Sequence, residues 1–89
     1  MDLCEVVDVV LAGEWPEGVE YIAQDADGFL DGFVRKPQLN KVLGSWMPIG
    51  VEMSKWNSEE AIEIGLLADQ WDKEVVSREE YLEWLEKNQ

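Results

Sequence analysis

The chain contains no histidine, a single cysteine (Cys4), three prolines and no apolar run approaching the length of a membrane span. Each absence excludes something. Without histidine there is no Ser-His-Asp or Cys-His arrangement, and the commonest general base and metal ligand is missing. With one cysteine no internal disulfide can form, which fits a reducing cytoplasm. A bilayer span needs about 20 apolar residues, so no membrane-crossing segment is expected. No basic residue precedes an apolar run at the start, so no signal peptide is expected either. Neither G-x-x-x-x-G-K-[ST] nor G-x-G-x-x-G occurs, which leaves no phosphate-cradling glycine loop.

Positive charge is also scarce. Seven Lys and Arg stand against twenty Asp and Glu, a net charge of −13. The deficit is uneven: residues 1–34 hold nine acids and no base, residues 35–55 net +3, and residues 56–89 net −7. Such a field repels nucleic acid and anionic membrane and attracts basic partners, although net charge also serves solubility alone. What the chain does have is apolar content of 46% and five Trp in 89 residues. That composition is too rich in aromatics for a disordered acidic tail and of a size for one domain spanning residues 1–89.

The strongest local pattern lies in residues 13–37. Residues 19–24 and 29–35 are rich in β-branched and aromatic side chains, and Asp25-Ala26-Asp27-Gly28 between them suits a tight reversal. The pattern predicts a β-hairpin. The Asp-x-Asp-Gly motif invites a calcium-loop reading, but the aligned first and twelfth positions would be Ala23 and Val34 where carboxylates are required. A plain acidic turn is expected, and no metal or other cofactor.

Upstream, Leu3, Val6, Val7, Val10 and Leu11 fall at helical spacing, with Asp2 and Glu5 near the start and Gly13 placed to end the helix. The four Val favour a strand; the stripe favours a helix, which is the expectation adopted. Residues 38–44 read as a loop. Residues 49–55 alternate as a third strand paired with the hairpin. Asn57 or Ser58 followed by Glu59 and Glu60 reads as a helix start, with Ala61, Ile62, Leu66, Leu67 and Trp71 on one face and Gly65 weakening it. Ile62, Ile64, Leu66 and Ala68 also alternate as in a strand; the helix is adopted. Ser77-Arg78-Glu79-Glu80 is a capping box opening a helix from 78 to about 87. The expected fold is α+β: a small antiparallel sheet of about three strands, the C-terminal helix and one or two further short helices.

Chemistry is sparse. Cys4 has no basic partner and reads as a buried or incidental thiol. No two carboxylates are marked for acid–base work, and so short a chain has little room for a substrate pocket; an enzyme is not expected. Trp15, Trp46, Trp56, Trp71 and Trp84 are expected in the core, with Trp15 or Trp46 the candidates for exposed interface anchors.

WPEGVEYIAQDADG, an aromatic strand ending in Lys36-Pro37, and WDKEVVSREEYLEW together resemble small uncharacterised proteins of tailed bacteriophages and prophages. The resemblance covers residues 15–37 and 71–84 and implies a host-takeover or counter-defence setting in a bacterial cytoplasm. With the acidic N-terminal block it leads to a functional expectation: a binding protein that occludes a basic surface on a nucleic-acid-handling enzyme, as a DNA mimic of the anti-restriction or anti-CRISPR type. It would not contact nucleic acid or membrane directly. The candidate partner-binding residues are Glu14, Trp15, Glu17, Glu20, Asp25, Asp27 and Asp31. The alternative is a structural or assembly accessory protein that forms a homo-oligomer through an aromatic face.

Overall fold

The computed structural model describes residues 1–50 and 53–88. The fold is α+β, as expected. Helix α1 (Leu3–Leu11) opens with a capping box: Asp2 Oδ1 accepts from the Glu5 N–H at 2.9 Å, and Glu5 Oε1 accepts from the Asp2 N–H at 3.1 Å. Leu3, Val6, Val7 and Leu11 are buried along one face, so the apolar stripe outweighs the strand preference of valine. The helix ends with Ala12 in the left-handed region (φ 51°), one position before Gly13, which follows it there (φ 89°).

The hairpin forms from β1 (Tyr21–Gln24) and β2 (Leu30–Phe33), paired antiparallel with Tyr21 opposite Phe33 and Gln24 opposite Leu30. Its tip closes through Asp25 N–H to Phe29 O, Gly28 N–H to Asp25 O, and Asp27 Oδ1 accepting from Phe29 N–H. Gly32 is required by close approach: a Cβ there would lie 2.8 Å from Val19 Cγ1.

Residues 38–44, expected as a loop, instead supply β3 (Gln38–Asn40) and the turn to β4 (Ser45–Met47), which pair as a separate two-stranded sheet. Asn40 builds that turn, its Oδ1 accepting from the N–H groups of both Val42 and Leu43 at 3.1 Å. The strand expected over 49–55 is likewise displaced. The segment pairing with the hairpin is β5 (Trp56–Ser58), running antiparallel to β2. Gly50 at φ 73° breaks the extended run, and Lys55 N–H already bonds Gly32 O at 2.8 Å; Val51 and Glu52 of that expectation lie outside the described residues.

The helix expected from about 58 is only α2 (Glu60–Glu63), with Glu59 rather than Asn57 or Ser58 at its cap. Gly65 is its stop rather than a weak interior residue. With φ 70° it makes a Schellman ending, Gly65 N–H bonding Ile62 O and Leu66 N–H bonding Ala61 O. Buried Gln24 then holds the irregular segment beyond: its Nε2 donates to Leu66 O, as well as to Gly28 O in the hairpin tip, and its Oε1 accepts from Ala68 N–H at 2.8 Å. Two tertiary bonds to one side chain outweigh a helical pattern that Gly65 interrupts.

Strand β6 (Val76–Ser77) pairs with β1 and leads into α3 (Arg78–Lys87), where Ser77 and Glu80 form the expected capping box. The main sheet therefore has the order β5-β2-β1-β6, one strand more than expected. Ile22, Leu30 and Val76 on one face pack with α1, Ala61 of α2 and Tyr81 of α3. Ala23 and Phe33 on the other face pack with Trp46 of β4. Among the described residues no helix is long and apolar enough to cross a membrane.

Candidate acidic interface

The seven candidate residues divide between the two ends of the hairpin. The four residues of β1 separate Glu20 from Asp25, five steps of about 3.3 Å or about 17 Å in all.

At the tip, Asp25 and Asp31 are half-buried and Asp27 is exposed. Asp25 is built into the fold: its Oδ1 accepts from the Trp46 N–H at 2.8 Å, and Ala26 N–H bonds Gly44 O, which pins the tip to the β3–β4 sheet. Asp31 shares a sheet face with Ala23 and Phe33 and lies within hydrogen-bonding reach of the Asp25 carboxyl. Burial, then the charges of Asp25 and Asp27, push the Asp31 carboxyl up to about 6. Burial also raises Asp25, opposed by the Trp46 N–H. Asp25 is thereby engaged within the fold and both carboxyls are half-buried, which leaves them less accessible to a partner than the exposed acids. Asp27 is exposed, and its Oδ1 closes the turn.

At the opposite end, Glu14, Glu17 and Glu20 are exposed. Trp15 is half-buried: its Nε1–H donates to Val19 O at 2.6 Å, and its ring lies 5.5 Å from that of Tyr81. Tyr81 fixes this corner, its hydroxyl donating to Asp8 Oδ1 at 2.6 Å and accepting from Gly13 N–H at 2.9 Å. Trp15, Glu17 and Glu20 line a depression of about 390 Å³ with Arg78 and Leu82. An adjoining depression of about 410 Å³ shares Glu20, Arg78 and Leu82 and adds Glu79, Glu83 and Glu86. Glu14 lines neither.

The structure thus brings Glu17 and Glu20 together with three acids of α3 that sequence reasoning left out. Their signal was present: Glu79, Glu83 and Glu86 stand at i, i+4 and i+7 of a helix already marked by its capping box. All five carboxylate residues are exposed. Glu79 to Glu86 spans about 10 Å of helix axis at 1.5 Å per residue. Duplex DNA presents about six charges over that length; three carboxylates lie along it here, and Glu17 and Glu20 beside them bring the corner, less Arg78, to a net charge of −4.

The remaining sequence candidates are absorbed by packing. None of the five Trp is exposed. Trp46 is buried, and Trp56, Trp71 and Trp84 are half-buried. Cys4 is half-buried, and burial, with Asp2 and acids of the C-terminal part adding to it, pushes its thiol up to about 11, away from the reactive thiolate. Among the described residues no group of three or more potential ligands could hold a metal ion.

No family model, curated protein or solved structure matches the chain.

Proposed function

We propose that the protein is a non-enzymatic acidic binding protein that occludes a basic surface on a nucleic-acid-handling protein of a bacterial host. Its working face is formed by Glu17, Glu20, Glu79, Glu83 and Glu86. The observation that carries this reading is the gathering of five exposed carboxylates around Leu82 at one corner of the fold. The phage-like motifs of the sequence support the setting. The hairpin tip takes a lesser part than the sequence alone suggests, because Asp25 is tied to β4 by the Trp46 N–H and Asp31 is half-buried beside it.

Charge reversal tests the assignment. Glu20→Lys, Glu83→Lys and Glu86→Lys together leave the capping box and the N-terminal acid Glu79 intact, and should abolish capture of the partner. Reversal of Glu59, Glu63 and Asp72, exposed residues outside this face, changes net charge equally and should leave capture intact. Equal loss in both variants would reduce the effect to net charge; no loss in the first would remove this face from consideration.

A second reading, a self-associating assembly protein, has its own observation. The turn between β3 and β4 projects Val42 and Leu43 with 94% and 67% of their surface exposed. The apolar surface available for such an interface is aliphatic rather than aromatic. Sedimentation at stepped concentration distinguishes it from the first reading, which needs no self-association.

A further inference from the structure

A second cleft lies away from the acidic face, between the β3–β4 sheet and the turns of residues 68–74. It encloses about 550 Å³ and is lined by Leu39, Lys41, Trp71, Asp72 and Lys73, a volume within the usual range for small-ligand sites. Its floor is built rather than incidental. The Trp71 carbonyl accepts from the Trp46 indole Nε1–H at 3.1 Å, and the Trp71 ring edge lies 3.9 Å from where a Cβ would stand at Gly44. Lys73 is fixed in the chain by its N–H bonding Gln70 O at 2.9 Å.

The charge is the reverse of the molecule's. Two of the seven bases in a chain of net −13 flank this one apolar cleft, and neither Lys41 nor Lys73 forms an ion pair with another described residue. Asp72 at the edge leaves a local net of +1. At physiological salt, charges beyond about 8 Å are largely screened, so the local pair governs what enters. We propose that this cleft binds a small organic anion whose flat apolar body lies against the Trp71 indole and Leu39 while its acidic group sits between Lys41 and Lys73. The site is independent of the acidic face and of the function proposed for it.

The test is a titration of the protein with 8-anilinonaphthalene-1-sulfonate, followed by amide and indole chemical shifts at neutral pH. Saturable shifts should be confined to residues 39–46 and 70–74, including the Trp71 indole. Lys41→Met with Lys73→Met should weaken binding about tenfold and each single substitution about threefold, with the spectrum otherwise unchanged. The neutral analogue N-phenyl-1-naphthylamine should bind the original protein about tenfold more weakly and ignore the lysine substitutions. Absence of saturation up to millimolar probe, shifts centred elsewhere, or an affinity that survives loss of both lysines would overturn the proposal.

Discussion

Replacing Asp31 by Asn should stabilise the protein at neutral pH and do nothing at pH 4. In the folded chain the Asp31 carboxyl stands at about 6, against an ordinary value of 3.8, because it is half-buried and faces Asp25 and Asp27. No base is among the groups perturbing it, and the Trp46 N–H of β4 is taken by Asp25. A gap of about 2 units corresponds to about 3 kcal/mol at 1.36 kcal/mol per unit. Roughly half of the carboxyl faces solvent, so screening reduces the expected effect to about 1–2 kcal/mol. The sign follows from proton uptake. The folded state holds this proton more tightly than the unfolded chain, so the contribution at this site is most favourable below about pH 4 and is lost as pH rises through about 6. Asn keeps the shape without the charge and also relieves Asp25. Urea unfolding of both proteins at pH 4, 5, 6 and 7.5 should show a stability difference that opens across that interval. A variant no more stable than the original at pH 7.5, or a difference constant with pH, would refute the reasoning.

Three further perturbations test the scaffold. Gln24→Met keeps the volume but strands the Leu66 and Gly28 carbonyls and the Ala68 N–H; it should cost about 3 kcal/mol or more in denaturant unfolding. Tyr81→Phe removes the hydroxyl joining Asp8 to Gly13 and should cost about 1–3 kcal/mol while leaving far-ultraviolet dichroism unchanged. Ser77→Ala removes the α3 cap and should cost about 1 kcal/mol, seen as faster amide exchange in the first turn of α3.

The parts legible in the sequence are those whose causes are local. Helix α1 follows from its apolar stripe with acids at its start, α3 from the capping box of Ser77 with Glu80, and the hairpin from its Asp-Gly turn. The parts that were not legible are settled at long range. Residues 66–68 leave the helix because Gln24, more than forty residues away, bonds Leu66 and Ala68, and Gly65 ends α2 where a helical stripe reads on. Residues 38–47 form a hairpin through Asn40, whose turn sits in a segment with little strand pattern. Pairing of β5 with β2 begins at Lys55 and Trp56, where the sequence reads as the end of a strand rather than its start.

The candidate site was legible as charge but not as geometry. Period-two reading of the hairpin gives no sign that Asp25 is engaged by the Trp46 N–H of the second sheet and that Asp31 lies within reach of it. Glu17 and Glu20 acquire their company only when α3 lands beside them through the β1–β6 pairing.

The central claim, that the acidic corner docks a basic protein surface, is tested most directly by capture from bacterial lysate with the tagged protein, washed in steps of salt. The account predicts recovery of one nucleic-acid-binding protein that is released between low and moderate salt and is missing when Glu20, Glu83 and Glu86 are reversed. A partner retained through high salt, or captured equally by the reversed variant, would contradict it.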